Sequence, residues 1–265
     1  MDFEKYQTIA FTRRGRILYV TFNQPEKLNS FAGLGHTELS EVWDDVAEDP
    51  DSDIVVVTGA GRAFSAGGDI EHMQDIRDNP KVWFQINREA KRIVCSLLEC
   101  DKPVIAKVNG DAIGLGSTVV TCCDMVFAAD HARFGDPHNN VALSTGDGGQ
   151  ITWPAHIGFA KAKHYLLTGE KLSAQEAERI GLINGYMPAD ELDEYVDKYA
   201  DKLAAMPIQS LRVSKATINI PLRQMAASMM DAGMAYECMV ATLTDDHQEA
   251  INAFRDKRRP EFKGS

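Results

Sequence analysis

"GRAFSAGGDI" (Gly61–Ile70) and "VNGDAIGLGSTVV" (Val108–Val120) decide how this chain is read. Each begins where an apolar run ends, and each leads into a segment of helical spacing. Glycine at such a junction lets the main chain approach a ligand closely. The first N–H groups of the following helix also lack intrahelical acceptors. Two such N–H groups converging on one oxygen would form an oxyanion hole, with plain turns as the alternative. Neither stretch fits GxGxxG or GxxxxGK[ST], so nucleotide binding is disfavoured.

Working outward, "RILYVTFN" (Arg16–Asn23), "DIVVVTGAG" (Asp53–Gly61), "PVIAKVNG" (Pro103–Gly110), "MVFAAD" (Met125–Asp130) and "ARFG" (Ala132–Gly135) read as strands. Helical periodicity covers 32–47, through Leu34, Leu39, Val42, Trp43 and Val46, and a further helix is expected over 80–100. Strand, glycine turn and helix thus alternate, an α/β pattern with buried parallel strands. Beyond about Asp190 the pattern is helix only, over 190–205, 208–219, 222–243 and 245–255. The expected division is a core of 1–195 and a helical region of 196–265. Met225, Met229, Met230, Met234 and Met239 recur along the third of those helices and read as packing residues.

A chain of 265 residues, 44% hydrophobic and 25% charged, has the composition of a soluble globular protein. Its net charge of -11 argues against a nucleic-acid partner, because phosphate binding needs concentrated Lys and Arg. The exception is a basic tail, "FRDKRRPEFKG" (Phe254–Gly264). The five cysteines are odd in number, Cys122 and Cys123 adjoin, and no CxxC or His-rich spacing suggests zinc. No metal and a reducing cytoplasm are expected. The first sixteen residues lack the apolar core of a signal peptide, and no run is long enough for a membrane span.

The two glycine turns, with "NQPEKLNSF" (Asn23–Phe31) upstream and "FRDKRRPEFK" at the end, resemble the enoyl-CoA hydratase/isomerase (crotonase) superfamily. The resemblance spans almost the whole chain, with motifs in the family's order. It implies a ClpP/crotonase-like fold, a spiral of ββα units followed by a helical trimerisation region, assembled as a homotrimer or dimer of trimers. It assigns the backbone N–H groups of Gly68 and Leu115 to the oxyanion hole. It also implies an acyl-CoA moiety as substrate, with no separate cofactor. Glu26, Lys27 and Leu28 would hold CoA beside Ala66 and Ile70, and Lys257 and Phe262 of the tail would reach its nucleotide end. Leu115 stands where many members have glycine, a change that leaves the main chain intact.

The sequence departs from the hydratases at both of their glutamates. Thr118 occupies the first position, and "FGDPH" places His138 at the second. A threonine hydroxyl titrates far too high to act as a base near neutrality, whereas an imidazole does not. The segment "FGDPHNNVALSTGDGGQITWPAHIG" is most similar, within the superfamily, to that of 6-oxocamphor hydrolase, which cleaves a cyclic β-diketone by a retro-Claisen reaction. That likeness implies a catalytic set of His138, Asp147 and Glu237, with Asp147 bonded to the ring and orienting it. Read without it, His138 is a structural histidine, Asp147 a helix cap and Glu237 a surface residue. The further active-site histidine of that hydrolase is Gly116 here. Retro-Claisen hydrolysis of a β-diketone or β-keto acyl-CoA is the leading expectation. Enoyl-CoA hydration or isomerisation with another base is the alternative, and a catalytically silent acyl-CoA-binding protein is the third.

Overall fold

The computed structural model describes residues 3–265. Strand β1 (Ile9–Arg14) forms an antiparallel hairpin with β2 (Ile17–Phe22), which pairs in parallel with β3 (Ile54–Gly59) across helix α1 (Leu34–Glu48). A repeated unit then follows. β3 is succeeded by the short β4 (Ala63–Ser65) and by α2 (Ile70–Asp78) and α3 (Trp83–Glu99). The same order recurs in β5 (Val104–Val108), β6 (Asp111–Ile113) and α4 (Leu115–Cys122), and in β7 (Met125–Ala129), β8 (Arg133–Gly135) and α5 (Gly149–Thr168). The chain continues through β9 (Leu172–Ser173), α6 (Ala174–Ile180) and β10 (Gly185–Met187).

The long strand of each unit enters one sheet, ordered β1-β2-β3-β5-β7-β10, and the short strand a second, ordered β4-β6-β8-β9. Each unit therefore steps sideways by one strand in both sheets, which generates a spiral. The run "IVVV" of β3 is apolar throughout because the large sheet is covered on both faces. Val55 and Val57 enter the main core, while Ile54 and Val56 meet Leu192, Val196, Ala200 and Leu203 of α7 (Leu192–Ala204).

Helices α8 (Ile208–Ile218), α9 (Ile220–Leu243) and α10 (Asp245–Arg255) complete the chain. Helix α9 lies along α3, and α10 lies against α2. Met230 and Met234 are buried in the main core, with Met225 and Met229 packed at its edge, whereas Met239 is half exposed. Among the described residues all five cysteines are free, and no helix is long and apolar enough to cross a membrane.

Candidate active site

The two glycine turns touch. Gly67 sits at φ +84°, and a Cβ there would lie 2.6 Å from the Ile113 carbonyl oxygen, so only glycine lets the first turn rest on the second. Phe31 N–H donates to the Gly67 carbonyl at 2.8 Å and fixes the outer side of that turn. Leu115 is the first residue of α4, following Gly114 at φ +53°. Its N–H has no acceptor within the helix, and the helix dipole adds positive potential there. Gly68 and Leu115 both line a cavity of about 100 Å³.

The same cavity is lined by His138, Asp147 and Glu237, residues 99 positions apart in sequence at the extremes. His138 opens a short 3-10 turn (His138–Val141) just after β8. Its Nδ1–H donates to Asp136 Oδ1, and the Asp136 side chain is fully buried. Asp147 Oδ2 lies 3.6 Å from His138 Nε2, just beyond hydrogen-bonding distance. The expected Asp147–ring bond is thus corrected: the orienting carboxylate is Asp136, supplied by the end of the strand that carries the histidine. Asp147 instead faces the free nitrogen and accepts from Thr118 Oγ1 at 3.4 Å. It also takes a backbone hydrogen bond from Gly149 at the start of α5, so the capping interaction and the place beside the ring coexist. Glu237, far from being a surface residue, is buried on α9 and accepts from Gly146 N–H at 3.1 Å.

These contacts explain the glycines of "TGDGG". A Cβ at Gly149 would stand 2.0 Å from Asp136 Oδ2, and one at Gly146 would stand 2.7 Å from Glu237 Oε2. Gly146 is crowded further by the Gly233 carbonyl oxygen at 2.5 Å, and Gly148, at φ +125°, by Thr118 and Val94, so the loop packs too closely for side chains at all three positions.

Three carboxylates around one imidazole set the electrostatics. Burial disfavours the charged ring, but Asp136, Asp147 and Glu237 outweigh it and hold His138 well above its ordinary value. Burial raises Asp147, opposed by His138. Burial also pushes Glu237 up to about 8; Asp147 and Asp136 add to the rise, while His138 and the Gly146 N–H oppose it. The ring thus favours its protonated form, and Glu237 is mostly neutral near neutral pH. The Asp136, His138 and Asp147 donor atoms lie within 4.8 Å of one another, close enough to hold a cation. Asp136 Oδ1 is already committed to the ring, however, and the set fits a proton-holding chain better.

The remaining walls come from the regions flanking the site. Met73, Ile76 and Trp83 line one side, and Met234 and His247 of the last helices another. His36 also lines it, its Nδ1 2.6 Å from Glu89 Oε2, and His247 Nδ1–H donates to the Val141 carbonyl at 2.7 Å. The residues assigned to CoA are distributed differently. Ala66 N–H donates to the Leu28 carbonyl at 2.9 Å, and both residues line a separate groove of about 490 Å³ with Arg62, Arg133 and Lys171. Glu26 and Lys27 lie in the 3-10 turn before Leu28, and Ile70 begins α2; none of the three lines either cavity. Lys257 and Phe262 do not line them either. The tail turns back on α10 through an Arg258–Glu249 ion pair and Lys263 N–H donating to Asp246 Oδ1 at 2.7 Å.

The enoyl-CoA hydratase/isomerase family pattern matches residues 12–265. The chain belongs to this family, and with it to the crotonase superfamily of enzymes. It is 32% identical to the 2,3-dehydroadipyl-CoA hydratase of Escherichia coli, over 97% of this chain and 98% of that one. An enoyl-CoA hydratase/isomerase from Mycobacterium paratuberculosis superposes with a TM-score of 0.88 at 34% identity, covering 92% of this chain and 97% of that chain. A β-diketone hydrolase from the cyanobacterium Anabaena, solved with (S)-3-oxocyclohexyl acetic acid bound, gives a TM-score of 0.85 at 31% identity, over 91% of this chain and 96% of that one. The family's spiral of two sheets is the fold described above.

Proposed function

We propose that this enzyme hydrolyses a C–C bond in a β-dicarbonyl compound, a cyclic β-diketone or a β-keto acyl-CoA. The observation that carries the reading is the Asp136–His138 pair, with Asp147 at the free ring nitrogen, in the cavity that Gly68 and Leu115 line. Thr118 and His138 stand at the hydratase glutamate positions, and the likeness to the Anabaena β-diketone hydrolase points the same way.

In this reading, water held between His138 Nε2 and Asp147 Oδ2 gives its proton to the unprotonated ring, while Asp136 keeps the proton on Nδ1. The hydroxide oxygen bonds to one carbonyl carbon. The C–C bond then breaks, its electron pair passing to the α-carbon as an enolate whose oxygen rests on the N–H groups of Gly68 and Leu115. Glu237, neutral near pH 7, supports return of a proton to that carbon. A cyclic diketone opens to a single keto acid and a β-keto acyl-CoA gives a carboxylic acid and a shortened acyl-CoA, and the balance requires only water. For an acyl-CoA, the Leu28–Ala66 groove with its Arg62 and Lys171 would take the polar portion.

Assembly as a homotrimer or dimer of trimers belongs to the same proposal. Val213, Ile218 and Leu243 on α8 and α9 expose 63%, 74% and 74% of their surface, an arrangement suited to contact with further copies. Light scattering reads the stoichiometry.

The relatives named as hydratases support a second reading, enoyl-CoA hydration with His138 or Glu237 as base. One assay separates the two. Cyclohexane-1,3-dione and a β-keto acyl-CoA are followed by loss of enol or enolate absorbance, beside crotonyl-CoA. Cleavage of the dione or keto ester without crotonyl-CoA turnover is expected. Crotonyl-CoA hydration with no cleavage of either dicarbonyl would overturn the first reading.

A further inference from the structure

Retro-Claisen cleavage develops charge on two oxygens in turn, first on the carbonyl that water attacks and then on the enolate. One pair of backbone N–H groups serves one of them. The second oxygen, held in an apolar cavity, needs its own donor. Most polar side chains lining the cavity are already engaged. His36 is held by Glu89, His138 by Asp136, Glu237 by the Gly146 N–H and His247 by the Val141 carbonyl.

Two are not: His72, which lies partly exposed with Nδ1 3.9 Å from Asp75 Oδ2, and Trp83, which is buried. Trp83 stands at the first position of α3 and is among the residues that line the cavity, with only 6% of its surface exposed. Its indole N–H is buried and has no hydrogen-bond partner. Trp43 and Trp153 also have unpartnered N–H groups, but both are wholly enclosed in the core and line no described cavity. Trp83 thus combines an available donor with a place in the wall where a ligand sits. Ile86 and Ala90, three and seven residues further along the same face of α3, line the cavity with aliphatic atoms and leave the indole as that face's polar point.

We infer that Trp83 forms a second oxygen-binding subsite, its indole N–H donating to the carbonyl or carboxylate oxygen that lies away from the Gly68–Leu115 pair. This deepens the proposed reaction and rests on it for the identity of the two oxygens. The ligand class it selects is a compact molecule bearing two separated oxygen functions, such as a diketone or a keto acid. A molecule with one carbonyl and a plain hydrocarbon remainder lacks the acceptor.

Binding tests the subsite without turnover. The full-length protein is labelled with ¹⁵N-tryptophan, whose three indole signals are assigned with Trp83→Phe, and titrated with 3-oxocyclohexyl acetic acid or 3-ethylcyclohexanone. The keto acid is expected to move the Trp83 indole proton downfield, leaving Trp43 and Trp153 as internal controls. It should bind about tenfold more tightly than the monoketone, and Trp83→Phe should remove that preference while leaving monoketone affinity unchanged. A Trp83 signal unmoved at saturation, an unchanged preference in Trp83→Phe, or no keto-acid binding at millimolar concentration would each overturn the subsite. If the signal moves as expected but no β-dicarbonyl is cleaved, the retro-Claisen reading falls and the subsite stands.

Discussion

The cavity is built from two kinds of material. On one side stand the turns at Gly67–Gly68 and Gly114–Leu115, where the useful groups belong to the main chain. On the other stand the 136–149 loop and α9, where the useful groups are the side chains of Asp136, His138, Asp147 and Glu237. The first should tolerate any side chain that leaves the N–H in place, Leu115 among them. The second depends on three carboxylates held around one ring by glycines that yield their Cβ space. A backbone site is insensitive to residue identity, whereas a carboxylate site is sensitive even to the neighbours' side chains.

The largest effect should come from the side-chain half. His138→Ala is expected to lower kcat for C–C cleavage by about 10³-fold or more, measured on the dione. The wild-type rate should rise with pH above neutrality, because the carboxylates hold His138 protonated well above its ordinary value. Loss of the Glu237 proton near pH 8 should then bring it down, so a rate already at its maximum well below neutrality would move the base to another group.

The backbone half is broken differently. Leu115→Pro removes the N–H at the first turn of α4, where proline fits a helix, and should cost about 10²–10³-fold in kcat. Leu115→Ala keeps the N–H and should remain near wild type. Equal losses in the two variants would show that the side chain matters and would erase the contrast.

A smaller effect is expected in stability. Gly149→Ala places a methyl group 2.0 Å from Asp136 Oδ2, so the loop or the carboxylate must shift. The expected loss is about 1–3 kcal/mol in denaturant unfolding, with a larger share of activity lost than of stability. The same substitution at Gly158, which has open space around it, would test only its φ of +74°.

The last effect is on how stability depends on pH. Glu237 binds its proton more tightly in the fold, at about 8, than in the unfolded chain near 4.5. Between those values the folded state holds more protons, so this group makes stability fall as pH rises. Glu237→Gln removes that dependence. Its Tm should match wild type near pH 5 and exceed it at pH 9. An equal Tm difference at both would argue against a buried, neutral Glu237.

The same contrast governs what could be read from sequence. The turns were legible because glycine between a strand and a helix is a local signal. The apolar runs of β2, β3, β5 and β7, and the late helices, fell within a few residues of their expected ends for the same reason. Strand β1 was not read, because "IAFTRR" alternates briefly and then turns polar at a sheet edge. β4 and β6, of three residues each, are too short to carry periodicity. In the site, His138, Asp147 and Glu237 were found by position in a motif. Asp136 was missed although it lies inside the quoted "FGDPH", because nothing local says which of two aspartates the ring will meet. Burial decides that: Asp136 is enclosed beside Nδ1, while Asp147 stays at the cavity edge. Nothing in the sequence around Trp83 says that its N–H goes without a partner.

The position of α9 has a consequence for the chain as it is made. Glu237 and Met234 close the cavity from the last fifth of the sequence, and His247 follows on α10. On the ribosome, both sheets and the whole 136–149 loop emerge before the acid and the roof do. A chain made only as far as Gly149 already owns the ring and the two N–H groups, but not the residues that close over them. The cavity is therefore complete only once the last two helices have docked.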